Sequence, residues 1–392
     1  MTTTTAPAAP QRTMQGLAIA AESVNPKAFF ALTRRKTLQE KTFTYNGQSQ
    51  DVVELRKSDI LAGIDIEFVG NLVTAKGAGT VGTTGRWPYD LIKAVKVSAN
   101  GQSNLINVSG AKLKVRDLMK NSDLSDRGIT QTVNGVNVSA GTLAGSSESW
   151  GVGSQTANIA DGNYNVDLQW HVPISEDETD LVGAIFLATS TSDITVTLEY
   201  SSQADLFSLG APATATLTGT FKVSTTKFSV PVGPNGQIVV PDLSTFHSLI
   251  QSRYTALQTG ENEIRLVGQG ANKSLLRMYY QLWNGATPAP VPMTRTAFGP
   301  QSWRFGNNET PEVYNDGSYL RKHMERSYNS DIGAVFGFGC HDFAEENVFR
   351  DVVDMGTTSE LRLVTTLQNG FVLTNPALEY VTEVVFLAGT AA

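Results

Sequence analysis

From Tyr164 to Val172 the chain alternates without a break. Tyr164, Val166, Leu168, Trp170 and Val172 are apolar, and Asn165, Asp167, Gln169 and His171 between them are polar. Successive side chains on a strand point to opposite faces, so nine residues of this pattern specify a strand with one face in a core. The same period recurs at Ile64, Ile66 and Phe68, and at Ile194, Val196, Leu198 and Tyr200. It returns at Leu217, Phe221 and Val223, at Leu361 and Leu363, and from Val381 to Phe386. Asn-Gly pairs begin at Asn46, Asn100, Asn134, Asn235, Asn284 and Asn369, and Asp-Gly pairs at Asp161 and Asp316. Such pairs accept positive φ and favour tight turns between strands. Many short strands joined in this way predict an all-β chain of sandwich or barrel type, not alternating β and α units.

The chain has 392 residues. A single core usually stops growing near roughly 250–300 residues, so two domains are expected. Gly210 and Pro212 follow a strong strand and mark residues 206–212 as the linker. The halves are then 42–205 and 213–392, preceded by an arm and basic helix over 1–41. That helix starts with Asn25 as cap and Pro26 in the first turn, and carries Lys27, Phe29, Phe30, Arg34, Arg35, Lys36 and finally Lys41. Further helices are expected after Asp242, with Leu243, Phe246, Ile250 and Tyr254 at helical spacing, after Asp180 over Leu181–Leu187, and over Tyr319–Tyr328. Thr74–Gly85 and Ser139–Gly162, rich in Gly, Ser and Thr, read as surface loops.

Composition excludes several classes. Hydrophobic residues make up 41%, too many for a wholly disordered chain. No apolar run approaches the ~18–20 residues of a membrane span. The single cysteine, Cys340, cannot form an internal disulfide. Met1–Pro10 lacks a basic segment, and Gly16–Ala21 is too short and weakly apolar for a signal peptide. Through residue 41 there are six basic residues against Glu22 and Glu40, a net +4, which leaves −11 for the rest of a chain whose total is −7. An acidic body disfavours a broad nucleic-acid surface, while a basic arm suits an anionic partner.

No motif for catalysis stands out. Cys340, His341 and Asp342 are adjacent, but neighbours on a strand point to opposite faces, so no Cys–His pair is expected. His171, His247, His323 and His341 lack metal-ligand spacing and read as strand or helix surface residues. Glu176, Asp177, Glu178 and Asp180 lack the calcium-loop pattern and read as a solvated loop, with an ion at a subunit contact as the alternative. Phosphate-binding glycine loops and the nucleophile elbow are absent. Trp87, Trp150, Trp170, Trp283 and Trp303 read mainly as packing residues; sugar stacking is the alternative, with Trp87 and Trp150 the freer two. No enzyme, cofactor or metal is expected.

Two ordered segments resemble a known family. Trp170-His171-Val172-Pro173, an acidic loop, and Asp180-Leu181-Val182-Gly183-Ala184-Ile185 are similar to the end of the first jelly roll of tectivirus major capsid proteins. Pro231-Val232-Gly233-Pro234-Asn235-Gly236-Gln237-Ile238, followed by Asp242-Leu243, is similar to the start of the second. The resemblance implies two eight-stranded jelly rolls side by side, with a few short helices and an N-terminal helical arm. It implies a bacteriophage coat protein that forms homotrimers of pseudo-hexagonal outline, which tile an icosahedral shell over an internal membrane. Neighbouring trimers, vertex (penton) and minor capsid proteins would be its partners, with no direct nucleic acid. Synthesis would be in the host cytoplasm and the destination the virion. Lys27, Phe29, Phe30, Arg34, Arg35, Lys36 and Lys41 would face the membrane or a neighbour. The alternative reading is a β-sandwich protein that binds carbohydrate or hydrolyses glycosides.

Overall fold

The computed structural model describes residues 26–99, 102–120, 128–133, 136–139, 159–188, 193–232, 236–266, 273–285, 291–293, 295–305, 313–314, 320, 326, 338–344, 352–355 and 361–387. The expected all-β architecture is present. One sheet runs Arg35–Tyr45, Thr214–Phe228, Ile60–Ala75, Gly162–Pro173, Gly128–Val133, Val136–Ser139, with Ile185–Phe186 added to Ile60–Ala75. A long second sheet runs Val291–Pro292, Lys273–Asn284, Ala377–Leu387, Thr245–Tyr254, Gln102–Val108, Ile92–Ala99, Ile194–Tyr200, Gln50–Glu54. A third contains Gly260–Leu266, Leu361–Leu367, Phe298–Arg304 and Val313–Tyr314.

The second sheet is shared. Its Gln50–Glu54 end packs against the first sheet, and its Lys273–Asn284 end against the third. Both interiors follow from the period-two pattern. Tyr164, Val166, Leu168, Trp170 and Val172 are all buried, and the Trp170, Phe221 and Tyr200 rings meet across the first sandwich. Tyr280 packs on Phe298, and Trp303 on His341 and Phe343, in the second. The sandwiches join where Thr245–Tyr254 pairs in parallel with Gln102–Val108, through Leu249↔Ile106 and Ile250↔Asn107.

Several expectations need correction. The N-terminal helix spans only Pro26–Leu32, and Arg35–Tyr45 is a strand paired along its length with Thr214–Phe228. Thr37, Thr42, Phe43, Thr44 and Tyr45 favour extended backbone, and the sheet edge supplies the ladder. Thr214–Phe228, assigned by sequence to the second half, is hydrogen-bonded on both sides within the first sheet, to Arg35–Tyr45 and Ile60–Ala75. Thr245–Tyr254 is a strand, not a helix after Asp242. Phe246, Ile250 and Tyr254 are four apart, an even spacing that fits a strand face as well as a helix face. Asp242 instead accepts the Ser244 amide at 2.9 Å in a local turn. No helix follows Asp180: Leu181 has φ 58° and Gly183 φ 88°, both outside the helical region, and Ile185–Phe186 forms a short strand.

Thr74–Gly85 is not wholly a surface loop, since Val81–Thr83 is a buried strand paired with Phe207–Leu209. Trp87, expected to be among the freer tryptophans, is buried against Phe207. His247 and His341 are buried rather than at the surface. Residues 140–158 and, apart from Leu320 and Arg326, the expected helix Tyr319–Tyr328 lie outside the described residues, as do His323 and Trp150.

Candidate functional site: the charged seam and the N-terminal foot

The helix Gly110–Lys120 packs on the strand Gly162–Pro173 and presents Lys112 and Arg116, one helical turn apart, to the second sandwich. Opposite it, Arg277 pairs with Glu383 and Gln281 with Glu379 across two neighbouring strands. Residues four apart on a strand share a face, so these four form two polar rows, and Lys112 and Arg116 dock on them. All six are buried.

The Arg116 row is a buried ionic hub. Arg116 Nη2 lies 2.6 Å from Glu176 Oε2 and 2.7 Å from Glu383 Oε1. Arg277 Nη2 lies 2.7 Å from Glu176 Oε1, its Nη1 2.7 Å from Glu383 Oε1, and its Nε 3.2 Å from Asp342 Oδ2. Lys120 reaches Glu176 at 2.7 Å. His247 holds Glu383 at 2.8 Å through Nε2, and its Nδ1 lies 3.3 Å from the Pro173 carbonyl. Burial pushes the Glu383 carboxyl up, but the charges of Arg116 and Arg277 outweigh it and hold Glu383 well below the usual carboxylate range. Glu176 is thus no solvated loop residue: its side chain is fully buried, bridging the sandwiches.

Glu176, His247 and Glu383 bring three potential metal-ligand atoms within 4.8 Å of one another. Their carboxylate oxygens already accept from two guanidiniums and an ammonium. A divalent ion there would stand beside Arg116 and Arg277, so this donor set fits ion pairing rather than metal binding.

The Lys112 row is a second cluster. Lys112 Nζ donates to Gln281 Oε1 at 2.5 Å, and burial pulls the ammonium down to about 8. Arg86 bonds Asp90 at 2.9 Å and Glu379 at 2.7 Å, with its guanidinium 4.7 Å from the Trp283 ring centre. Asp90 also accepts the Ala111 amide at 3.1 Å, which fixes the start of the helix.

The foot brings together motif residues distant in sequence. Phe29, Leu181, Phe228, Val239, Val240 and Leu243 share one apolar cluster, separate from the main core. Phe29 is fully buried there, so it faces its own chain rather than a membrane or neighbour; Phe30 packs edge-on against Phe29 and Phe228. Arg34 is exposed. Arg35 bonds Glu178 at 2.8 Å, Lys36 approaches Asp59 at 3.4 Å, and Lys41 donates to the Val52 carbonyl at 2.9 Å. The side chain of Lys27 lies outside the described residues, as do Gly233 and Asn235.

The remaining motif residues set turns and seams. Trp170 is in the first core, and Pro173 gives its carbonyl to the hub. Asp180 accepts the Val182 amide at 3.1 Å. A Cβ on Gly183 would lie 2.4 Å from the Cβ of His247, so only glycine lets this turn meet the second sandwich. Val239 donates to the Pro231 carbonyl at 3.0 Å, and Gly236 takes φ 77° in the intervening turn.

No protein-family model and no curated protein matches the chain in sequence. Solved structures do match. The crystal structure of the STIV MCP, a major capsid protein, aligns with TM-score 0.64 at 13% identity, over 91% of this chain and 97% of that one. The atomic structure of Sulfolobus Turreted Icosahedral Virus gives 0.63 at 12%, over 92% of each chain. The PBCV-1 virus capsid gives 0.52 at 14%, over 91% and 95%. In fold, the chain is a double jelly roll of the kind that builds viral major capsid proteins.

Proposed function

We propose that this protein is a structural major capsid protein that acts by self-association and has no reaction of its own. The observation that carries the reading is the end-to-end likeness to the STIV MCP, 91% of this chain on 97% of that one. The seam supports it, because a shell subunit must hold its two jelly rolls in one orientation. In this reading three copies form a pseudo-hexagonal capsomer, and capsomers tile an icosahedral shell over an internal membrane, with vertex and minor capsid proteins as partners. The domain division that best suits the strand pairing puts the crossover after Phe228. The protein is destined for the virion, and Arg34 and the segment before Pro26 face the membrane or a neighbouring subunit. Among the described residues no helix is long and apolar enough to cross a membrane.

The carbohydrate alternative loses four of its five tryptophans. Trp87, Trp170, Trp283 and Trp303 are at most 2% exposed and offer no stacking platform. The test is the solution mass by light scattering after size exclusion. A stable species near three times 42.1 kDa is expected, and a strict monomer at micromolar concentration contradicts the proposal.

A further inference from the structure

The outer face of the first sheet carries a groove of about 750 Å³, walled by the helix Gly110–Lys120 and by residues 175–178. Its origin lies in an unequal sheet edge. Gly128–Val133 pairs with Gly162–Pro173 as far as Gly128↔Asp167, and among the described residues no strand lies beside the edge beyond Asp167. The helix covers this edge, and Asp117 Oδ2 accepts the His171 amide at 3.1 Å in place of a strand carbonyl.

Most charges around the groove are paired. Arg35 holds Glu178, Lys222 holds Glu67 at 3.0 Å, Arg116 and Lys120 hold Glu176, and His171 meets Asp65 at 2.7 Å. Asp117 differs. The residue is 2% exposed, it lines the groove, and among the described residues no donor reaches its buried Oδ1. A buried carboxylate oxygen without a donor is unfavourable, and a group that brings N–H donors would relieve it.

We propose that this groove is a binding site for an organic cation, a guanidinium or ammonium group whose N–H donors complete Asp117. Two sources share that chemistry: a free amine, or a basic side chain of a second copy. The chain's own charge separation favours complementarity between copies, with +4 through residue 41 and −11 beyond it. Burial pushes Asp117 up to about 6, against the opposing pull of His171, Arg116 and Lys114. The groups around it are therefore His171 and Asp65 from the strands, Lys114 and Arg116 from the helix, and Glu176 from the loop. Asp117 itself is ionised at pH 7.5 and mostly neutral at pH 5. Protonation of His171, whose titration is raised by Asp65 in spite of burial, acts in the same direction.

The test uses agmatine as probe, titrated calorimetrically into the full chain under conditions that keep it unassembled, so the result does not depend on the capsid reading. One saturable site is expected at pH 7.5, weakened about tenfold at pH 5 as Asp117 protonates. Asp117→Asn should abolish it, while Glu67→Gln, whose partner is Lys222, should change it less than about twofold. Asparagine keeps an oxygen for the His171 amide, and the pH series on the unaltered chain serves as the second measurement if that variant fails to fold. No saturable binding at pH 7.5, equal binding by Asp117→Asn, or no loss at pH 5 overturns the proposal. Where agmatine binding is lost in Asp117→Asn, the same variant identifies the source. Self-association weakened at least fivefold marks a side chain of a second copy, and unchanged self-association marks a free amine; either upholds the site.

Discussion

The interior of the first sandwich and the seam between the sandwiches are built from opposite chemistry. Inside the sandwich, Phe68 and Phe221 lie 4.7 Å apart, and Tyr200 stacks on Phe221 at 5.0 Å. In the seam, Arg116, Glu176, Arg277 and Glu383 are equally buried but ionic. Apolar burial is strong and non-directional, so it closes two sheets without fixing much else. Ion pairs in a dry site gain little net stability over apolar packing, but they demand particular geometry. The account is therefore that the seam specifies how one jelly roll sits on the other, and the cores hold each jelly roll closed.

The strongest way to break this comparison is Glu383→Ala. It leaves Arg116, Arg277 and His247 buried without their shared acceptor, at an expected loss of about 3–5 kcal/mol. Denaturant unfolding should show that loss, with the two halves melting apart; a loss under about 1 kcal/mol would place the seam's worth elsewhere. Asp117→Asn has the opposite sign. The folded-state carboxyl titrates at about 6, above its ordinary 3.8, so its ionisation disfavours the fold above that pH. Roughly 2–3 kcal/mol should be gained at pH 7.5, with the gain fading as pH falls from 6 to 4 and absent below. Equal gains at pH 3.5 and 7.5 would refute this cause. Gly183→Ala should cost about 2 kcal/mol, because the new Cβ meets His247 in a strained backbone. A neutral melting curve would show that the turn can shift. Arg35→Ala should change stability by less than about 1 kcal/mol, since its pair with Glu178 is half in solvent. A larger loss would mean that the foot depends on this pair.

The two regions were also unequally legible. The cores could be read because their signal is local: Tyr164 to Val172 declares a strand and its buried face within nine residues. The seam could not, because its members are far apart. Arg116 and Glu176 are separated by 60 residues, Arg277 and Glu176 by 101, and Arg116 and Glu383 by 267. Nothing around Glu176 distinguishes it from the half-buried or exposed carboxylates that follow. A weak signal did exist in Glu379 and Glu383, which sit at even spacing on a strand whose other face is mostly apolar. Where helices were expected at Arg34–Lys41 and after Asp242, local spacing was ambiguous and strand pairing decided the outcome. The foot was half legible. Leu181 and Leu243 stood in the motif segments, but only the fold brings them to Phe29.

The arm can be tested with this geometry in mind. Removing residues 1–41 would delete most of the strand Arg35–Tyr45, so a cut after residue 25 is the informative one. That variant should keep the melting temperature and lose shell or membrane association; normal membrane-containing particles would contradict the arm's proposed role.

The most direct test of the central claim is imaging the purified protein by electron microscopy. The account predicts threefold particles of pseudo-hexagonal outline, each third showing two rod-like lobes in one fixed orientation. Isolated monomers, or subunits whose two lobes vary in angle, would contradict it.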